Sequence, residues 1–127
     1  MTIHNLSDGN SVLNQYIAEI RDKNIQKNHM RFRRNLERIG EIFAYEISRT
    51  LNYKNVEITT PLGISECHVP ADSIVLATIL RAGLPLHNGL LNFFDDAQNA
   101  FIAAYRKYGK DNKFDIKLEY ITSPSID

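Results

Sequence analysis

The sequence has one cysteine, no tryptophan, four prolines and six glycines in 127 residues. A lone Cys67 closes no intrachain disulfide, and four scattered histidines add no zinc cage of the usual kind, so a reducing compartment is expected. No apolar run approaches the length that spans a bilayer. The opening Met1-Thr2-Ile3-His4-Asn5-Leu6 lacks the basic and apolar regions of a secretory signal, and the expectation is a cytoplasmic protein. An excess of one charge is missing too: 15 Lys+Arg balance 15 Asp+Glu, which argues against a sheath for nucleic acid, whose affinity rests on many phosphate-neutralising cations.

What is present is an ordinary globular composition, 43% hydrophobic and 24% charged, which excludes wholesale disorder. Residues 1–127 read as a single domain. Ser11 can cap a first helix whose Val12, Leu13, Tyr16, Ile17 and Ile20 share a face. A longer helix is expected from near Lys27 to about Leu51, because Phe32, Leu36, Ile39, Phe43 and Ile47 recur at three or four residues. Its other face is basic, with seven Lys/Arg against two acids between Arg21 and Arg38. Tyr45-Glu46 on this helix reads as a buried hydrogen-bonding pair.

After Asn52 the period changes to two. Val56, Ile58 and Thr60 alternate, Pro61-Leu62-Gly63 turns, and Ile64–Val69 returns as the second strand of a hairpin. The apolar run Ile74–Leu80 predicts a strand buried on both faces, and Leu84-Pro85 opens a helix to about Phe94, with Asp95-Asp96 in the loop beyond. Ala100–Arg106 then predicts a strand parallel to 74–80. Lys107–Lys113 reads as a charged turn, and Phe114, Ile116, Leu118 and Tyr120 as one face of a returning arm whose other face is wet. The whole is an α/β arrangement built on a parallel sheet.

Leu80-Arg81-Ala82-Gly83-Leu84-Pro85 lies where open α/β sheets place ligands, at the carboxyl end of a parallel strand. Gly83 allows close backbone approach, the following helix aims N–H groups at the same point, and Arg81 offers a planar fork matched to phosphate oxygens. The alternative is that Arg81 caps a turn and pairs with a carboxylate such as Asp72. Arg106, at the end of the second parallel strand, is expected on the same edge; two arginines there favour a polyphosphate ligand, against a plain solvated turn. Arg31, Arg33 and Arg34 on the basic face are weaker candidates for contact with an anionic nucleotide or RNA, against a face that is simply solvated.

Arg31-Phe32-Arg33, Tyr45-Glu46, Thr78–Pro85, Gly89-Leu90-Leu91 and Ala104-Tyr105-Arg106 occur together and in order, and with them the chain resembles the N-terminal part of a uracil phosphoribosyltransferase. The resemblance implies a type I phosphoribosyltransferase-like (Rossmann-like) fold with N-terminal helices and β-hairpin arms. It also implies a salvage reaction in which uracil and phosphoribosyl pyrophosphate (PRPP) give UMP and pyrophosphate with Mg²⁺ bound mainly through PRPP. By resemblance Arg81, Ala82, Gly83 and Arg106 bind PRPP, Arg33 and Arg34 are a candidate contact for a GTP effector, and the protein is a homodimer or higher homo-oligomer. The family's loop for the PRPP 5′-phosphate and its uracil-recognising segment find no counterpart here. The chain is therefore expected to be a truncated part of a larger phosphoribosyltransferase domain, inactive by itself and without a catalytic residue of its own. The competing reading is a non-catalytic nucleotide-binding or self-associating module of the same fold.

Overall fold

The computed structural model describes residues 3–108 and 114–125, with the side chains of Arg106, Tyr108 and Phe114 outside the description. Two capped helices come first. Ser11 Oγ accepts the Leu13 N–H to start α1 (Val12–Arg21), and Asn28 Oδ1 accepts the Arg31 N–H at 3.0 Å to start α2 (His29–Ser48). The cap at Asn28, preceded by a 3-10 turn at Ile25–Lys27, begins α2 slightly later than the apolar period suggests. At the other end the hydroxyls of Ser48 and Thr50 donate to the Tyr45 and Ile47 carbonyls, satisfying groups that a longer helix would have bonded.

α1 and α2 are joined by a polar network. Glu19 receives both the Nε and Nη2 of Arg31 at 2.8 Å and the amide of Asn35 at 2.6 Å, and Asn35, only 1% exposed, accepts from Arg38, whose guanidinium lies over the Tyr16 ring. The Arg31 and Asn35 hydrogen bonds hold the Glu19 carboxyl down at about 2, against an ordinary 4.5. Because the folded value is depressed, the stability this carboxylate confers is complete above about pH 4.5 and is lost as the pH falls through about 2. Thermal melts of Glu19→Gln are expected to lie below those of the parent chain at pH 7, with the gap narrowing below pH 4.5 and closing near pH 2; a pH-independent gap contradicts the assignment.

α3 (Leu84–Leu91) crosses α2 at glycine against glycine. A Cβ on Gly40 would overlap the Leu86 carbonyl oxygen and lie 3.1 Å from Gly89 Cα, and a Cβ on Gly89 would overlap the Glu37 carbonyl oxygen and lie 2.9 Å from the Glu41 nitrogen. Asn92 ties the far end by donating to Glu41 at 2.8 Å. Tyr45 and Glu46 do not form the expected buried pair: Tyr45 is 56% exposed, and Glu46, half-buried beside the start of α1, faces Arg49 at 3.6 Å.

The strands form two sheets. β1 (Tyr53–Thr60) and β2 (Gly63–Pro70) pair antiparallel from Tyr53↔Pro70 to Thr60↔Gly63, with Gly63 at φ 135° in the turn. β3 (Val75–Leu80) and β4 (Gln98–Tyr108) run parallel from Val75↔Gln98 to Leu80↔Ala103, with α3 as the crossover, and β5 (Phe114–Thr122) pairs antiparallel with β4. The sheet is thus mixed, with one parallel pair. β3 is not buried on both faces: Leu76 is buried while Ile79 is 59% exposed, since α3 packs on the sheet and no described element covers its other side. Beneath α3, His87 Nε2 meets Asn99 Oδ1 at 2.7 Å. Asn99 spends its own amide on the Ala97 carbonyl, so the ring nitrogen is the donor.

Candidate phosphate-binding cleft

At the carboxyl end of β3 the chain reverses within Arg81-Ala82-Gly83 and enters α3. The Gly83 N–H donates to the Ile79 carbonyl at 3.2 Å, the Leu84 N–H to Arg81, and the His87 N–H to Gly83 at 3.0 Å, and the Leu80–Arg81 peptide is cis. Gly83 is also demanded by the turn itself, since a Cβ there would overlap Thr78 Oγ1 and sit 2.9 Å from the Ile79 carbonyl. The helix start is also less free than anticipated, because Leu84 is engaged and Pro85 has no N–H. The Ala82 N–H takes no backbone partner among the described residues.

This turn opens onto a cleft of about 590 Å³ lined by Leu80, Arg81, Ala82, Ala103, Ala104, Tyr105 and Glu119. It lies at the carboxyl edge of the parallel pair, the usual ligand position in such sheets. Arg81 is exposed and makes no ion pair among the described residues. The competing partner Asp72 is engaged elsewhere: its oxygens accept the Asn52 side-chain amide at 2.9 Å and backbone N–H at 2.7 Å, which hold its carboxyl below the usual range.

Two expectations for the second arm need correction. Parallel pairing stops at Ala103, but β4 continues through Lys107 and Tyr108, where a turn was anticipated, so Arg106 does not end a strand; it lies inside the arm opposite Ile116. Its side chain lies outside the described residues, as do residues 109–113, on which most of the expected charged turn falls. The single apolar face of β5 is likewise interrupted. Ala103 pairs with Tyr120 and Ala104 with Leu118, leaving Glu119 as an unpaired bulge residue, so Leu118 and Tyr120 fall on opposite faces despite their spacing. Leu118, Ile116 and Tyr120 are all about half exposed or more.

The basic face of α2 is mostly internally paired. Arg31 binds Glu19, Arg38 binds Asn35, and Arg34 meets Glu37 at 2.7 Å, while Arg33 makes no hydrogen bond or ion pair among the described residues. Arg33 and Arg34 border a separate opening of about 330 Å³ shared with Met30, Glu37, Leu84, Pro85 and Asn88. Among the described residues no three His, Cys, Asp or Glu side chains converge as a metal cage, and no helix is long and apolar enough to cross a membrane.

The family model for uracil phosphoribosyltransferase matches residues 8–120 of this sequence. The chain belongs to the uracil phosphoribosyltransferase family. A uracil phosphoribosyltransferase of Porphyromonas gingivalis is 54% identical over 126 residues, covering 99% of this chain and 58% of its own length. One from Pyrococcus furiosus is 34% identical over 114 residues, covering 88% of this chain and 47% of its own. The chain therefore spans about half the length of the curated relatives it matches. A solved Aquifex aeolicus protein structure shares the α/β fold, with a TM-score of 0.76 at 20% identity over 91% of this chain and 54% of the other. Within the matched span, Thr78–Pro85 occupies the end of β3, the reversing turn and the first turn of α3. Glu119 was not singled out in the sequence, since a bulge leaves no mark on an alternating strand pattern.

Proposed function

We propose that this chain supplies the PRPP-anchoring part of a uracil phosphoribosyltransferase, which joins uracil N1 to C1′ of PRPP and releases pyrophosphate. The observation that carries the reading is Arg81 with the Ala82-Gly83 turn at the parallel sheet edge, facing the cleft, in a chain of this family. The C1′–O bond breaks with its electrons going to pyrophosphate, the C1′–N1 bond forms, and the N1 proton passes to solvent. Positive charge grows on the ribose and negative charge on the leaving group, so a guanidinium beside the pyrophosphate favours the transition state over the ground state. Arg81 holds the leaving group, the Ala82 N–H is a further donor, and Arg106 is proposed to reach the same anion. A cleft offering one carboxylate and one guanidinium fits a cation carried by substrate oxygens rather than caged by protein, and Mg²⁺ so bound neutralises leaving-group charge.

Arg33 and Arg34 are proposed as the contact for a GTP effector, with the unpaired Arg33 and its opening as the supporting observation. Homo-oligomerisation is proposed through the exposed apolar side chains of β5, including Ile116 and Ile121, and a cytoplasmic setting suits the reduced Cys67. The test of the enzyme reading is a chimera: the 127 residues joined to the portion of the Porphyromonas relative that they do not match. This chimera is expected to form UMP from uracil, PRPP and Mg²⁺, and the 127 residues alone to form none. A folded chimera without turnover contradicts the proposal.

A further inference from the structure

We propose that Glu119 is a positioning residue that makes the Arg81 cleft selective for a polyphosphate carrying a divalent cation; the inference rests on the PRPP reading above. Glu119 is the residue that the β4–β5 register leaves unpaired, and bulges of this kind re-aim a side chain at the edge of a site. It lines the cleft that Arg81 lines, and the other lining side chains carry no charge. The ion pairs of the described residues engage Arg31, Arg34 and Arg49, and neither Arg81 nor Glu119 has an ion-pair partner among those residues.

An unpaired carboxylate in a cleft that receives pyrophosphate opposes bare polyanion binding, because like charges at close range repel. The same carboxylate becomes favourable when the anion arrives with a divalent cation. Magnesium retains several waters and is commonly held by one or two carboxylates together with substrate phosphates, so Glu119 can act through one of those waters without an all-protein cage. Arg81 then reads the phosphate oxygens and Glu119 reads the accompanying cation. The two charges divide recognition of one ligand.

The test is equilibrium binding of inorganic pyrophosphate to the full 127-residue chain with and without Mg²⁺. In the parent chain Mg²⁺ is expected to tighten binding by about tenfold. In Glu119→Gln metal-free binding is expected to strengthen and the Mg²⁺ effect to fall below about threefold. Asp115→Asn, which removes a carboxylate from the same exposed strand outside the cleft, is expected to keep the parent's Mg²⁺ effect. With Mn²⁺ in place of Mg²⁺, pyrophosphate-dependent broadening of the Leu118–Tyr120 amide signals is expected. An unchanged Mg²⁺ effect in Glu119→Gln, or a matching loss in Asp115→Asn, overturns the inference while leaving the PRPP reading intact. Pyrophosphate binding that is indifferent to Arg81→Ala, or no binding by the parent chain at all, overturns both.

Discussion

Arg81→Ala in the chimera is expected to lower kcat/KM for PRPP by about 10²–10³, the loss typical of removing one preorganised donor from developing negative charge. Arg81 is exposed, borders the cleft and has no ion-pair partner in the described residues, so its removal leaves no orphaned charge. The loss therefore belongs to catalysis rather than folding, and thermal melts of the variant are expected to match those of the parent. Arg81→Lys keeps the charge without the planar fork and is expected to fall between the two. Activity of Arg81→Ala within threefold of the parent removes Arg81 from the mechanism.

The largest effect on stability is expected at the α2–α3 crossing. Gly89→Ala places a methyl group against the Glu37 carbonyl oxygen and the Glu41 nitrogen, both backbone atoms that cannot rotate aside. The helices must separate, at a cost of about 1–3 kcal/mol measured by denaturant unfolding. The gain in helix propensity from replacing glycine is smaller than that and does not reverse the sign. Gly40→Ala meets the Leu86 carbonyl across the same crossing, so the double variant is expected to cost less than the two single changes combined. Gly9→Ala is the control, because nothing lies within 4 Å of a Cβ there. Equal stability of Gly89→Ala and Gly9→Ala contradicts the packing account.

Separation of α2 from α3 also bears on function. α3 begins at Leu84, immediately after the Arg81-Ala82-Gly83 turn, and the His87 N–H to Gly83 bond links its first turn to that loop. The glycine crossing therefore positions the helix on which the phosphate-facing turn is built. Sub-denaturing loosening at Gly89 is expected to weaken pyrophosphate binding before the chain unfolds.

The order of elements was legible because each has a strong local cause: a capping Ser11, the apolar period of α2, a turn-forming Gly63, and an apolar strand ended by a glycine-containing turn. The placement of Arg81 at the edge of a parallel pair followed from the strand–helix–strand order. What sequence could not supply depends on partners distant in the chain. The Glu19–Arg31–Asn35 network, the mutual contact of Gly40 and Gly89, and the buried bond between His87 and Asn99 each join separate elements. Apolar runs also misled where covering layers are missing from the described residues, as at Ile79. Alternation on β5 predicted one apolar face, but register decides the face, and the bulge at Glu119 reverses it midway.

The most direct test of the central claim is a nuclear magnetic resonance titration of the 127-residue chain with PRPP and Mg²⁺, which localises even weak binding. Amide shifts are expected to concentrate in Leu80–Gly83, Ala103–Tyr105 and Glu119, the residues around the cleft, and to vanish in Arg81→Ala. Shifts confined to Met30–Glu37, or none at concentrations where pyrophosphate binds, would contradict the assignment of the Arg81 cleft as the PRPP site.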